Sequence, residues 1–322
     1  MDLSYVIEKI RNSEISKVPF RHIEINDLFN SEDFERIINC KELTISAETD
    51  IELFDKLFRN NYKIMSFPGC VENYKKYLAW HKKKKITTKM GSSCEGYGVV
   101  LRLQTPESSP IENLMNLIRS KEFVEVISEK FNIDSSNCTY DSGLQKYLDG
   151  YEISPHPDVR SKALTYMVNI NPSPNSSEDE HHTSYLKFKP ERAYVNEFWK
   201  GNNMINRCWV PWSWCDIIKQ QRQNNSIVIF SPDNDTLHAV KTNYNHLSNQ
   251  RTQLYGNLWY NNAEECEAPR WEDFVVKPTD PLGFSIKKKL VGYMPVNLKL
   301  ALKNIIGKRK KHNYDPRQKK NN

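Results

Sequence analysis

Four side chains in the second half of the chain have the types and spacing for chemistry at a metal: His156, Asp158, His238 and Arg251. His156 and Asp158 bracket Pro157. In extended chain, residues i and i+2 share a face, so an imidazole and a carboxylate can converge on one ion. His238 follows the apolar run Ile227-Val228-Ile229-Phe230 and its turn. Two neutral imidazoles and one carboxylate form a facial triad that suits non-haem Fe(II) and leaves coordination positions open. Arg251 opens an alternating run that puts Gln253, Tyr255, Asn257 and Trp259 on its own face. A guanidinium inside a barrel calls for an anion, because a buried unpaired charge is costly. A carboxylate held by a bidentate pair meets that need. Tyr147, just before the His156 strand, can add a neutral hydrogen bond to the same carboxylate.

These residues need rigid strands to position them, and the sequence supplies the pattern. From Leu144 onward, short alternating or continuous apolar runs are separated by turn residues: 144–154, 163–171, 184–189, 226–231, 236–241 and 251–260. Six short strands of this kind predict an all-β sandwich or barrel. The first part of the chain reads differently. Residues 18–39 predict a strand and then a helix capped by Asn30 or Ser31. Glu52 to Arg59 predicts a second helix, and Gly96 to Leu103 a strand. Leu114, Leu117, Ile118, Val124 and Ile127 have the 3.6 spacing of one helix over Ile111 to Phe131. Residues 173–183 form a polar, acidic loop, and Trp209, Trp212 and Trp214 lie in a long stretch before the 226 strand.

Composition bounds the rest. With 38% hydrophobic and 27% charged residues, the 322-residue chain affords a core. No apolar stretch approaches the roughly 20 residues that cross a bilayer, and Asp2 and Glu8 do not fit a basic signal start. The odd set of seven cysteines contains no CxxC pair, which predicts a reducing, cytoplasmic setting. The net charge of +6 is uneven: residues 287–322 hold 12 Lys/Arg against Asp315 alone, giving +11, so the rest carries −5. The basic character belongs to the tail, and the body gives no strong nucleic-acid signal. Within the tail, the amphipathic stretch 296–306 suits docking on the protein's own body or on an anionic surface.

Taken in order, Tyr147-Leu148-Asp149-Gly150, His156-Pro157-Asp158, His238 and Arg251 resemble the 2-oxoglutarate and Fe(II)-dependent dioxygenases, in particular the prolyl 4-hydroxylase-like branch. The resemblance covers about residues 140 to 262. It implies a mainly β fold with supporting helices (α+β), built on a double-stranded β-helix, the jelly-roll or cupin-like core. It implies His156, Asp158 and His238 as iron ligands and Arg251 as the partner of the far carboxylate of 2-oxoglutarate. Tyr147 matches a tyrosine on that carboxylate, and Asn169 falls where some relatives place another co-substrate contact. The implied cofactors are Fe(II), with 2-oxoglutarate and O2 as co-substrates and ascorbate as a reductant. The implied reaction couples decarboxylation of 2-oxoglutarate to succinate with hydroxylation of an acceptor. Asp158 argues against halogenation, for which relatives replace the carboxylate by a small residue. Gln253 stands where many relatives carry Ser. The expected organisation is a support region at 1–135, a core at 136–265 with an insertion at about 173–225, and a C-terminal extension at 266–322.

Blander readings stand beside these. His156 and His238 can each hold a loop by hydrogen bonds, and a zinc or manganese site can use the same three donors. A β-sandwich that binds a glycan, peptide or membrane surface without turnover is the alternative to an enzyme. His181-His182, beside Glu178, Asp179 and Glu180, reads as an exposed pair. Arg160 and Lys162 read as a solvated strand edge or as a contact for an acidic substrate. Cys208 and Cys215 read as core or surface thiols. Trp209 reads as packing, with Trp212 and Trp214 open between packing and a substrate mouth. The acceptor is a protein side chain (prolyl or other), a small molecule, or an envelope sugar or lipid.

Overall fold

The computed structural model describes residues 1–66, 70–83 and 98–275. The basic tail at 287–322, its amphipathic stretch, Lys84, Lys85, Cys94 and the start of the Gly96 strand lie outside the described residues. Residues Met1–Pro269 form one compact unit, and Arg270 begins a second, of which a single short turn, Trp271–Phe274, is described.

Helices open the chain. They are α1 (Ser4–Asn12), α2 (Ser31–Ile38), α3 (Asp50–Arg59), α4 (Tyr74–His81), α5 (Ser109–Arg119) and α6 (Lys121–Glu129). Asn30 caps α2 as its sequence predicts, with Oδ1 accepting from Asp33 N at 2.8 Å. The single helix expected over 111–131 is two. Ser120 adopts an extended backbone (φ −65°, ψ 145°), and its hydroxyl accepts from Phe123 N at 3.1 Å. A serine that can cap a new helix competes with one that continues the old. The apolar residues on either side of the break join one core cluster.

The strands are β1 (Ile23–Asn26), β2 (Tyr62–Ile64), β3 (Val100–Leu103), β4 (Cys138–Tyr147), β5 (Glu152–His156), β6 (Lys162–Asn169), β7 (Thr183–Phe188), β8 (Cys215–Gln220), β9 (Ser226–Phe230), β10 (His238–Lys241) and β11 (Arg251–Tyr260). The larger sheet has the order β1-β9-β6-β11-β4-β3-β2 and the smaller β5-β10-β7-β8. From β4 to β11 the chain passes back and forth between them: β4, β6, β9 and β11 in the larger, β5, β7, β8 and β10 in the smaller. All pairings between these strands are antiparallel. Eight strands so shared between two sheets are a jelly roll, the double-stranded β-helix.

The larger sheet is covered on both faces. Leu164, Tyr166 and Val168 of β6 join the core cluster formed with the helices, and Met167 joins the inner cluster with Tyr185, Val228, Phe230 and Tyr255. Every residue of β6 is buried, which explains why its sequence shows little alternation. Residues 189–214, which include α7 (Tyr194–Gly201), connect β7 to β8. Both β7 and β8 therefore fall inside the stretch read as an insertion. β8 went unread because it is an edge strand whose Asp216, Ile217, Ile218 and Lys219 are all exposed. The six described cysteines are free thiols, and Cys208 and Cys215 are both buried. No helix among the described residues is long and apolar enough to cross a membrane.

Candidate metal centre

β5 and β10 lie side by side with His156 directly opposite His238. The register slips between His238 and Val240, so β5 carries a bulge around Ser154 and Pro155. A proline is tolerated there because β5 is an edge strand and Pro155 has no N–H to offer a ladder. The bulge turns His156 inward, and the chain leaving β5 brings Asp158 back beneath it.

The three side chains meet. His156 Nε2 lies 3.6 Å from Asp158 Oδ1, His238 Nε2 lies 3.9 Å from Asp158 Oδ2, and the two imidazole centroids are 4.3 Å apart. One donor atom from each lies within 4.8 Å of the others, so the group could hold a metal ion. The far side of each ring is fixed: His156 Nδ1 donates to Ser154 O at 2.8 Å and His238 Nδ1 to Thr236 O at 3.0 Å. Those bonds place the proton on Nδ1 and leave both Nε2 lone pairs directed at the common centre. Burial pushes His238 down to about 3, with the neighbouring His156 adding to it, so its imidazole is neutral. For Asp158, burial pushes the carboxyl upward, but Lys162, His238 and His156 together hold it well below the usual carboxylate range.

Lys162 overturns both readings made of it. It is buried, and its ammonium donates to Asp158 Oδ1 at 2.7 Å and to Tyr255 Oη at 3.2 Å. Thr165 Oγ1 donates to Asp158 Oδ2 at 2.9 Å. Neither lies on a solvated edge. The sequence carried a faint signal for this: Lys162 and Thr165 open β6, next to Asp158. Arg160 is half-buried. Its guanidinium donates to Ile205 O (2.8 Å), Trp199 O (2.5 Å) and Asn202 O (3.3 Å), closing the end of α7.

Arg251 is 2% exposed. One guanidinium nitrogen donates to Thr183 Oγ1 at 2.9 Å, the group sits 4.5 Å over the Tyr147 ring, and Nη1 has no partner. Burial pushes Arg251 below its ordinary value, while Tyr147, Tyr151, Tyr244 and Tyr185 oppose that. No carboxylate pairs with it among the described residues. Register measures its place relative to the triad: on β7, Tyr185 pairs with His238, and Thr183, two residues on, pairs with Val240. Two residues of strand span about 7 Å, roughly the length of a five-carbon diacid.

Tyr147 lies opposite Arg251 across β4 and β11. The amide of Gln145 stands between Tyr147 and Arg102. With its oxygen toward Arg102 Nε (3.1 Å) and Nη2 (2.7 Å), its nitrogen donates to Tyr147 Oη at 2.5 Å. That orientation satisfies both neighbours and leaves the Tyr147 proton for another acceptor. Asn169 differs: its amide donates to Gln221 O (3.0 Å) and Gln223 O (3.2 Å), and its oxygen accepts from Gln253 at 2.7 Å. The side chain is fully engaged, and it holds Gln253 in place.

The histidine pair is not exposed. His181 is 1% and His182 5% exposed, and burial pushes His181 down to about 2, with Arg251 adding to it. The acidic neighbours misled the sequence reading, because the loop folds the rings inward against Tyr244, 4.9 Å from His181. Trp209 lies 6.3 Å from His156 and packs on Val100, Tyr147, Tyr151, Ile153 and Val240. Trp212 Nε1 donates to Glu152 at 2.8 Å, and Trp214 is buried beneath Arg192. A cavity of about 570 Å³ bounded by Trp80, Glu152, His182, Trp212 and Lys241 lies on the outer side of the smaller sheet, away from the triad.

A second group, Asp50, His81 and His246, also brings three donors together. Its protons are accounted for without an ion. His81 Nδ1 meets Asp50 at 2.8 Å and Nε2 meets Asp149 at 3.0 Å. His246 Nδ1 accepts from Asp149 N at 3.1 Å, so its Nε2–H donates to Asp50 at 2.7 Å.

The fold and site define a double-stranded β-helix with a His-Asp-His cluster at the junction of β5, β6 and β10. No family model matches the chain, and no curated protein matches it. Among solved structures it is similar to a Pseudomonas putida prolyl-4-hydroxylase, at 8% identity and TM-score 0.40, covering 80% of this chain and 98% of that one. It is also similar to a 2OG-Fe(II) oxygenase family protein from Burkholderia pseudomallei (12%, TM-score 0.29, 68% and 96% covered). A third is HygX from Streptomyces hygroscopicus, solved with nickel, 2-oxoglutarate and hygromycin B (9%, TM-score 0.30, 70% and 100% covered).

Proposed function

We propose that this protein is an Fe(II)- and 2-oxoglutarate-dependent dioxygenase that hydroxylates an acceptor. The observation that carries this reading is the buried Arg251, with an unpartnered N–H, two strand residues from a cluster of two imidazoles and a carboxylate. A metal site alone has no use for that cation. A buried guanidinium without its anion is costly, and a diacid that reaches both places repays the cost.

Iron with 2-oxoglutarate and O2 supplies oxidative decarboxylation and transfer of one oxygen atom. The chain's own residues do the rest. His156 and His238 offer Nε2 lone pairs, and their Nδ1–H bonds keep those lone pairs aimed. Asp158 supplies the one negative charge, held at both oxygens by Lys162 and Thr165. Arg251 takes the far carboxylate, with Thr183 steadying the guanidinium and Tyr147 offering its hydroxyl proton. Tyr151, Ile153 and Val240 wall that end with apolar surface and keep water from competing for the ion pair.

The test is thermal unfolding under anaerobic conditions. Fe(II) should raise the melting temperature, and 2-oxoglutarate should raise it further, since both bind only the folded chain. Arg251→Ala should remove the second increment and keep the first, whereas His156→Ala with Asp158→Ala should remove both. In air, wild type should release succinate from 2-oxoglutarate. If Arg251→Ala keeps the full response to 2-oxoglutarate, the reading fails.

A further inference from the structure

Besides Lys162 and Arg251, a third buried cation stands near the triad, and the proposed reaction makes no use of it. Arg207 is 8% exposed. Its Nε and Nη1 are buried with no hydrogen-bond partner, and no ion pair joins it to a carboxylate among the described residues. The backbone fixes its place. Asn206 Oδ1 accepts from Arg207 N at 2.9 Å and from Arg160 N at 3.0 Å, which ties Arg207 to the turn just after Asp158. Three residues on, Val210 N donates to Pro155 O at 2.9 Å, so the segment runs along β5 at its His156 end, with Trp209 facing His156. Arg207 thus stands on the side of the cluster that these backbone bonds define, while Arg251 stands beyond Thr183.

Among the described residues no carboxylate bonds to it. Arg160, a charged neighbour that acts against it, is a guanidinium satisfied by carbonyl oxygens alone. Asp158 and Asp233 act on Arg207 only at a distance, and Asp158 is already claimed by Lys162 and Thr165. Burial accordingly pushes Arg207 down to about 10, with Arg160 adding to it. Two guanidinium N–H groups kept dry and unpaired call for an anionic acceptor.

We propose that the acceptor carries an anionic group, a carboxylate or a phosphate, which Arg207 binds beside the His156–Asp158–His238 cluster. The word acceptor rests on the dioxygenase reading, whereas the anion site itself does not. Neutral side chains such as an internal prolyl residue would leave Arg207 unpaired. An acidic small molecule, or a peptide with an acidic residue near the oxidised one, would satisfy it.

The full chain is titrated anaerobically with phenyl phosphate, benzoate and benzyl alcohol, with Fe(II) present and 2-oxoglutarate saturating. Tryptophan fluorescence, which includes Trp209, and melting temperature are the readouts. The two anions should bind saturably and at least 10-fold more tightly than the alcohol, and the tighter of them identifies the anion class. Arg207→Gln should weaken both anions at least 10-fold, keep the melting increment from 2-oxoglutarate, and unfold no earlier than wild type without probe. Arg207→Lys should recover part of the affinity. The proposal is overturned if benzyl alcohol binds as well as the anions, or if Arg207→Gln binds them like wild type. It is overturned too if Arg207→Gln lowers the melting temperature with no effect of any probe, which is the behaviour of a structural strut. Absence of any response to 2-oxoglutarate would instead bring down the dioxygenase reading, and the anion titration would still report on Arg207.

Discussion

At the scale of single residues, the centre depends on a lysine that competes with the ion. Lys162 neutralises Asp158 from one side while a divalent ion would do so from the other. Breaking a buried pair by removing one partner costs about 3–5 kcal/mol, because it leaves an uncompensated charge. Lys162→Met should therefore lower the stability of the metal-free protein by that order. It should also enlarge the melting increment from Fe(II) or Mn(II), since the ion then relieves a carboxylate that nothing else does. Thermal unfolding of both proteins with and without ion checks this. A smaller increment in Lys162→Met than in wild type would mean that Asp158 does not meet the ion. His156 and Asp158 were paired in the sequence by the alternation of an extended chain, whereas in the structure they meet because the chain turns just past the end of β5. Lys162 was not readable, because a charge on a strand looks solvated until the partner across the turn is known. His181 was misread for the same reason, its acidic neighbours being weighed and its inward turn unseen.

At the scale of elements, the strands that carry the site were legible where they alternate or form continuous apolar runs, as in β9 and β11. They were illegible at the edge, as in β8, where no face is buried. Glycine placement marks one constraint the pattern hides. Gly256 of β11 pairs directly with Tyr166 of β6, and a Cβ there would come within 2.3 Å of the Tyr166 ring. The ring cannot swing aside easily. It packs edge-on against Phe123 of α6, and its hydroxyl meets Tyr140 at 2.6 Å. Gly256→Ala should destabilise by about 1–3 kcal/mol through overpacking. Because β11 holds Arg251 at its other end, the increment from 2-oxoglutarate should persist in whatever fraction stays folded. Urea unfolding gives the first quantity and ligand-dependent melting the second. A Gly256→Ala protein as stable as wild type would show that Tyr166 has room to move.

At the scale of the whole molecule, the first third of the chain is woven into the larger sheet. It supplies β1 to β9 and β3 to β4, and its helices cover the larger sheet. One ionic cluster adds a charge-dependent tie. Asp50 opens α3, His81 ends α4, Asp149 lies in the turn after β4, and His246 lies between β10 and β11. Burial works against the His81 charge, but hydrogen bonds to Asp149 and Asp50 outweigh it and raise His81 to about 9. A histidine raised from about 6.5 to about 9 contributes stability that is full below about pH 6.5 and lost as pH rises through 9, on the order of 3 kcal/mol. The wild-type profile alone cannot reveal it. Lys146, buried on the helix side of β4, is pushed by burial down to about 7. It opposes folding while charged, so its own contribution improves as pH rises from about 7 toward its unfolded value. The two slopes oppose each other across the same range. The comparison that isolates His81 is the difference between wild type and His81→Gln, in which Lys146 cancels. Urea unfolding should find His81→Gln less stable than wild type at pH 6, and the gap should close by about pH 9.5. Asp50, held below the usual carboxylate range, stays ionised throughout that interval and does not contribute to the change. A gap that is constant from pH 6 to 9.5 would mean that His81 carries no proton between its two carboxylates. The tie between the helices and the Asp149 turn would then be neutral, and the turn that follows Tyr147 would lose its charge-dependent anchor.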